Sequence, residues 1–265
     1  MNILCIAASD NTGGAGVQAD LKTCVALGSY PMTVVTALTA QDQNGIHEVW
    51  CPGKSVIEAQ FEACINYANP DAIKIGLLPD ADAIEALSLL LKTYGDIPIV
   101  LDPVLGATCG GKFMKESEEK KNFIINLSEK LFPLSTYITP NQEELHTIGT
   151  YLFGRGFTKE QYIKLILKNY KPDHIIVTGG DSLGSKTVDE LFFRDGRETV
   201  RFENEKVNSF HTHGTGCTFS TALANFIAQG YDAKDSVEKA KLFTLQAIKK
   251  GILASINDKY GPVIQ

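Results

Sequence analysis

Five consecutive residues, His213-Gly214-Thr215-Gly216-Cys217, lead directly into small and apolar residues with helical spacing over 218–229. A glycine-rich turn that feeds a helix N-terminus leaves several backbone N–H groups without intrahelical partners. It points them, with the positive end of the helix dipole, at one spot. Such a spot takes an anion, and phosphate suits it because glycines lack the Cβ atoms that would hold phosphate oxygens away. Cys217 stands at the mouth, where the same dipole favours its thiolate and makes it a candidate base. The plainer alternative, for the pentapeptide alone, is a turn before a buried helix with a core cysteine.

A second glycine cluster, Gly14-Ala15-Gly16-Val17-Gln18-Ala19, follows an apolar run and formally matches the dinucleotide fingerprint GxGxxG/A. The match is weak. Residues 9–13 intervene between strand and first glycine, and the first acid after the next strand is Asp42, whereas the fingerprint wants a tight turn and an acid about 20 positions on. The other possibility is that these glycines let a substrate ring approach the backbone while Asp20 offers a carboxylate. Further along, Asn141 and Glu144 follow Thr139-Pro140 with the spacing of a helix capping box. Asp102 closes an apolar run before Pro103, a place where parallel sheets usually bind ligands.

The elements that must hold these residues alternate along the chain. Residues 3–8, 32–38, 72–77, 97–101, 136–139 and 174–178 read as strands, most of them too uniformly apolar to be half exposed, as in a parallel sheet. Helical patterns over 16–27, 55–68, 81–94, 117–131, 142–148 and 159–168 separate them, and two helices finish the chain. Residues 191–194 and 199–202 look like a hairpin closed by Asp195-Gly196, a pair suited to a type I′ turn. No repeat, low-complexity tract or linker interrupts the pattern. The expected fold is therefore one α/β domain over 1–265, a three-layer αβα sandwich around a mostly parallel sheet, with a small β flap.

Composition bounds the function. With 265 residues, 44% hydrophobic and 21% charged, and a net charge of -6, the chain has the profile of a soluble globular protein. It lacks the basic blocks that bind nucleic acid or anionic membranes, so small molecules are the expected partners. Neither a signal-peptide core nor a membrane span stands out, which makes the cytoplasm the expected location. Six cysteines without CxxC or zinc-like spacing read as reduced thiols.

Taken together, several segments resemble the hydroxymethylpyrimidine and phosphomethylpyrimidine kinases of the ribokinase-like superfamily. They are IAASDNTGGAGVQADLKT (6–23), ALTAQDQNGIHEV (37–49), KIGLL (74–78), LDPVLGATCGG (101–111), ITPNQEEL (138–145), IIVTGGDSL (175–183) and THGTGCTFSTALA (212–224), in family order. The resemblance implies an ATP- and Mg²⁺-dependent kinase acting on the hydroxymethyl group of an aminopyrimidine, 4-amino-5-hydroxymethyl-2-methylpyrimidine, and on its monophosphate, in thiamine biosynthesis or salvage. It further implies a homodimer. Residue by residue it makes Gly214, Thr215 and Gly216 the anion hole for the transferred phosphoryl group and Cys217 the base. It assigns Asn141 and Glu144 to Mg²⁺ and the ATP phosphates through water, with Asp102 as a second metal candidate and Thr178 and Gly180 beside the nucleotide. Asp20, Gln41, Ala8, Leu77 and Val104 fall to the acceptor. A Gln amide presents an acceptor and a donor in one plane, the complement of an amino group beside a ring nitrogen, so Gln41 is the expected reader of the ring.

The chain departs from the family pattern at Ala8, where glycine is usual, at Asn11-Thr12, at Asp181, where histidine is common, and at Thr178, where a lysine commonly precedes the two glycines. Losing that cation removes a point charge near the phosphates and bears most on a second phosphorylation, whose acceptor is already anionic. A pyridoxal kinase of the same superfamily is the main alternative. A nucleotide-dependent oxidoreductase and a non-catalytic binding protein are more distant ones.

Overall fold

A computed structural model of the chain describes residues 1–105, 118–179, 185–207, 209, 211–254 and 261–265. Strand β1 (Asn2–Asp10) leads through a glycine loop into α1 (Gly16–Ala26), and β2 (Tyr30–Asp42) turns back as β3 (Gly45–Trp50). Then follow α2 (Lys54–Tyr67), β4 (Ala72–Ile75), α3 (Ala81–Leu91), β5 (Ile99–Leu101) and α4 (Glu118–Lys130). Next come β6 (Tyr137–Ile138), α5 (Gln142–Phe153), α6 (Lys159–Tyr170), β7 (His174–Val177), β8 (Lys186–Phe193) and β9 (Val200–Glu205), and α7 (Thr215–Ala228) and α8 (Ala233–Ala254) close the chain. Among the described residues nine strands form one sheet in the order β3-β2-β1-β4-β5-β6-β7-β8-β9. The neighbours β2-β1-β4-β5-β6-β7 pair in parallel, and the marginal pairs β2/β3, β7/β8 and β8/β9 are antiparallel.

Alternation along the strands splits the core into two layers, because successive side chains of a strand point to opposite faces. Leu4, Ile6, Ile73, Ile75, Ile99 and Leu101 pack with α2 to α6 on one face. Ile3, Cys5, Ala72 and Val100 pack with Cys24 of α1, with Phe219, Ala222 and Leu223 of α7 and with Val237 and Ala240 of α8 on the other. The three-layer αβα architecture expected from the alternation of strands and helices is thus observed.

Two expectations are corrected, and one strand is added. β3 carries exposed His47, Glu48 and Trp50, so its pattern is that of a one-sided edge strand, which lacks the uniform apolar run of its neighbours. Asp195-Gly196 does not close a two-residue turn. The last paired residues of the hairpin are Leu191 and Val200, because β8 runs on to pair Phe193 with His174 of β7. Finally, Cys5, Cys24, Cys64 and Cys217 are free thiols, but Cys51 is disulfide-bonded. Spacing along the chain cannot show which cysteines the fold brings together. Among the described residues no helix is long and apolar enough to cross a membrane.

Candidate active site

β1 sits between β2 and β4, so the chain leaves it in one direction and returns on its other side, the kind of switch point at which parallel sheets bind ligands beyond their carboxyl ends. The candidate residues collect there. Asp10 and Gln41 stand at the ends of β1 and β2, Leu77 just past β4, Asp102 directly after β5, Asn141 shortly after β6 and Thr178 directly after β7. The N-terminus of α7 closes over the same edge.

Two glycine loops meet back to back. Gly214 caps α7 with φ +84°, and a Cβ there would lie 1.8 Å from the Gly14 carbonyl oxygen. A Cβ on Gly14 would lie 2.3 Å from His213 Cδ2, and one on Gly16 would lie 2.1 Å from the Ala8 carbonyl oxygen. The β1–α1 glycines therefore serve close backbone contact with β1 and with the α7 loop, which leaves them no room to cradle a dinucleotide. At the head of α7, the Thr215 N–H and hydroxyl both turn back to the Thr212 carbonyl. The first bond of helical spacing is Thr218 N–H to Gly214 O, at 2.9 Å. Gly216 and Cys217 lie ahead of it, with N–H groups free to face an anion, and Gly216 is exposed.

Beneath this loop lies a buried charge cluster. Lys74, in the middle of β4, has no exposed surface and donates to both oxygens of Asp20 at 2.8 and 2.9 Å. The Thr221 hydroxyl donates to the same carboxylate at 2.7 Å. Burial opposes the charge on Lys74, but Asp20, Cys217 and Asp102 outweigh it and hold its proton well above the usual lysine range. Asp102 accepts from the Ser220 hydroxyl at 3.0 Å, and its Oδ2 would be 3.6 Å from a Cβ placed on Gly216. Burial pushes its carboxyl upward, against the pull of Lys74 and Ser220.

This cluster corrects two expectations. Asp20, fully buried with both oxygens bonded, does not face an acceptor; it neutralises Lys74 and anchors α7 through Thr221. Cys217 is not a dipole-activated thiolate either. Burial, with the nearby charges of Asp20 and Asp102, pushes its thiol up to about 11, although Lys74 and the Gly16 N–H pull the other way. The signal for the cluster was present in the sequence as a lysine inside an otherwise apolar strand, AIKI. A buried ammonium of that kind must have a carboxylate partner.

The acceptor side is built from the ends of β1 and β2. Ala8 packs with Ala37 and Val49, and Leu77 lies against them, so Ala8 and Leu77 share one apolar wall with the β2–β3 hairpin. Val104 is half-buried and turns its N–H to the Asp102 carbonyl at 2.8 Å. Gln41 is held by Asn11, whose side-chain oxygen accepts from the Gln41 N–H at 2.7 Å and whose amide donates to the Gln41 carbonyl at 3.1 Å. Asp10 is 3% exposed. Its Oδ1 accepts from the Thr12 N–H and hydroxyl, both at 2.8 Å, and its Oδ2 from the Gly14 and Ala15 N–H groups at 3.1 and 2.8 Å. His213 Nε2 also lies 2.8 Å from Oδ2. Burial disfavours the charge, but the bonds from His213 and Thr12 oppose it, and Asp10 is held ionised far below the usual carboxylate range. Sequence reasoning missed both Asp10 and its partner His213, 203 positions away.

At the far side of the edge, Asn141 and Glu144 form the capping box of α5, with Asn141 Oδ1 accepting from Glu144 N–H at 2.8 Å and Glu144 Oε2 from Asn141 N–H at 2.9 Å. Thr178 pairs with Asn141 through an isolated bridge and donates its N–H to the Pro140 carbonyl at 3.1 Å. Gly180 and Asp181 lie outside the described residues.

The whole fold matches solved kinases. It superimposes on an ADP complex of Bacillus subtilis pyridoxal kinase with a TM-score of 0.85 at 32% sequence identity, covering 99% of this chain and 96% of that one. Fold and strand-end loops thus define the ribokinase-like class of small-molecule kinases. Within it, the family model for phosphomethylpyrimidine kinase matches residues 10–264, and the chain belongs to that family. A hydroxymethylpyrimidine/phosphomethylpyrimidine kinase of Bacillus subtilis is 34% identical over 263 residues, 98% of this chain and 92% of the relative. The thiamine biosynthesis bifunctional protein ThiED of Geobacter sulfurreducens is 34% identical over 265 residues, 99% of this chain and 51% of the relative. This chain therefore spans about half the length of that bifunctional relative.

Proposed function

We propose that residues 1–265 act as one kinase domain that transfers the γ-phosphoryl group of ATP to the hydroxymethyl group of 4-amino-5-hydroxymethyl-2-methylpyrimidine, and then to its monophosphate, in thiamine biosynthesis or salvage. The observation that carries this is the contact between the two glycine loops, Gly214 against Gly14. An anion site at the head of α7 and an acceptor slot at the end of β1 thereby share one wall. Relatives named for this activity, matched over nearly the whole chain, support it. Phosphoryl transfer asks chiefly for positioning and charge stabilisation, and at the head of α7 the backbone amides of Gly216 and Cys217 would supply both, the Thr215 N–H being turned back to Thr212. Cys217 would receive the acceptor's hydroxyl proton.

ATP is the proposed donor, in keeping with the ADP and AMP-PCP complexes of the Staphylococcus aureus pyridoxal kinase. Among the described residues no three His, Cys, Asp or Glu side chains gather as a metal cage. The separate carboxylates of Glu144 and Asp102 suit Mg²⁺, which keeps most of its waters and arrives with phosphates; Glu144 with Asn141, and Asp102, would hold it. When bound, the ion would supply charge neutralisation at the phosphates. A homodimer and a cytoplasmic location belong to the same proposal, and light scattering would test the first.

Incubation with ATP, Mg²⁺ and a panel of hydroxymethyl heterocycles, read by phosphorus NMR, tests the assignment. Phosphorylation of the aminopyrimidine with higher kcat/KM than pyridoxal supports it. The second reading, pyridoxal phosphorylation, is favoured by the superposition on pyridoxal kinases and would be upheld by the reverse order. Turnover of neither would sink both.

A further inference from the structure

The anion loop at the head of α7 has little in its own sequence to fix it. Two of its residues are glycines without side chains, and Gly214 takes φ +84°, so its shape must be imposed from either side. A segment distant in sequence, 261–265, grips both sides. On the near flank it lies beside His213 as a parallel bridge, with the His213 N–H donating to the Gly261 carbonyl at 3.3 Å and the Val263 N–H donating to the His213 carbonyl at 3.1 Å. On the far flank the Gln265 side-chain amide donates to the Thr218 hydroxyl at 2.8 Å. Thr218 is fully buried and makes the first bond of helical spacing, back to Gly214. One piece of chain thus holds the loop at both ends.

That segment is itself firmly seated. Val263, 1% exposed, packs with Ala247 and Ile248 of α8 and with Val207, and the Ile264 N–H donates to the Ala247 carbonyl at 3.0 Å. Its bed is only as wide as a backbone, for a Cβ on Gly261 would lie 1.9 Å from His211 Nδ1 and one on Gly251 would lie 2.6 Å from the Pro262 carbonyl oxygen. Pro262 also reaches the acceptor-side loop, where its Cβ would be 3.1 Å from a Cβ placed on Gly14.

We propose that residues 261–265 are a strap that holds the α7 loop in its anion-binding shape, with Gln265 as a positioning residue for phosphoryl transfer. The inference rests on the proposed kinase reading of the site, because it gives the loop its rigidity rather than its role. Backbone amides stabilise developing charge when they are already aimed at it, and a misplacement of about 1 Å can lower a rate about a hundredfold. Gln265 acts through Thr218, the residue after Cys217, so its loss falls on kcat and leaves the acceptor KM nearly unchanged.

The test is a double-mutant cycle of Gln265→Ala and Thr218→Val, with kcat, both KM values and the urea midpoint measured, beside residue-resolved hydrogen exchange by NMR without substrates. Each single variant should lower kcat about tenfold, as loss of one hydrogen bond to a buried group does, with acceptor KM within about threefold of wild type. The double should be no slower than the worse single, since both remove the same bond. Exchange at the Thr215 and Thr218 amides, whose bonds close the two ends of the loop, should quicken about tenfold in Gln265→Ala while amides of α3 exchange as in wild type. Unchanged kcat or unchanged exchange at those two amides, even with a lowered urea midpoint, would leave Gln265 a structural residue and overturn the proposal, as would single effects that multiply in the double. If wild type phosphorylated no hydroxymethyl heterocycle, the kinase reading would fail and the strap would be judged by exchange alone. Should Thr218→Val not fold, Gln265→Ala decides through kcat and exchange together.

Discussion

Replacing Lys74 with methionine should destabilise the fold more than any other single change at the site. Lys74 is fully buried and gives two short bonds to Asp20, and Asp102 also leans on its charge. Methionine fills a similar volume but leaves Asp20 with only the Thr221 hydroxyl. Breaking a buried pair from one side costs about 3–5 kcal/mol, since an uncompensated charge stays behind. The double variant Lys74→Met/Asp20→Asn removes the charge as well and keeps an acceptor for Thr221. It should cost only about 1–2 kcal/mol, for the lost hydrogen bonds. A stranded Asp20 would also change the pH dependence. Burial, the dominant influence on Asp20, would raise its folded-state pKa above the unfolded one, so the folded state would bind the extra proton. Stability of Lys74→Met should then fall as pH rises from about 5 to 8, a slope the double variant lacks. Urea unfolding of the wild type, both singles and the double, at the two pH values, gives these quantities by linear extrapolation. A single-variant cost below about 1 kcal/mol, or a double cost equal to the sum of the singles, would show that the pair is not coupled as the geometry states.

Three further outcomes are expected. Because the Cys217 thiol is pushed up to about 11, its thiolate is scarce at neutral pH, and kcat/KM for the acceptor should climb about tenfold per pH unit above 7 if that thiolate takes the proton. Cys217→Asp should flatten the profile, and a flat wild-type profile from pH 7 to 9 would remove Cys217 as the base. Gly214→Ala should lower kcat at least about a hundredfold, as loss of a positioned amide donor does, since its Cβ would strike Gly14 at 1.8 Å. The control Gly28→Ala, with φ +75° and nothing within 4 Å, should leave kcat unchanged. Thr178→Lys should raise turnover of the monophosphorylated acceptor more than that of the unphosphorylated one, because an added ammonium favours the more anionic complex; an unchanged ratio would place residue 178 away from the phosphates.

Strand and helix positions were legible because they depend on periodicity, which is local. The buried strands 3–8 and 174–178 appear in the structure as β1 and β7 with boundaries shifted by a residue or two. β3 was not legible, since an edge strand exposed on one side lacks the uniform apolar run that marks its neighbours. At the site, glycine positions were readable as places of close approach, but not what approaches. Gly14 and Gly16 look alike in a dinucleotide loop and in a loop packed against Ala8 and His213; a backbone oxygen 2.1 Å from a hypothetical Cβ on Gly16 tells them apart.

Cys217 shows where local reasoning stops. From the sequence it sits at a helix N-terminus, whose dipole favours a thiolate by roughly 0.3–1 kcal/mol. In the fold it lies over Asp20 and Asp102, and its thiol moves from the ordinary 9.0 to about 11, a penalty on the thiolate of about 3 kcal/mol at 1.36 kcal/mol per unit. Burial and two carboxylates thus act against the dipole. Lys74, the opposing charge, is invisible as a neighbour of Cys217 until β4 is laid beside β1 and α7. The same holds for Asp10 and His213. Each belongs to a glycine-rich segment that sequence analysis singles out, and their contact follows only from stacking one loop on the other. The sequence therefore shows which segments carry the chemistry, while the charge state and orientation of the groups in them depend on pairings that only the fold creates.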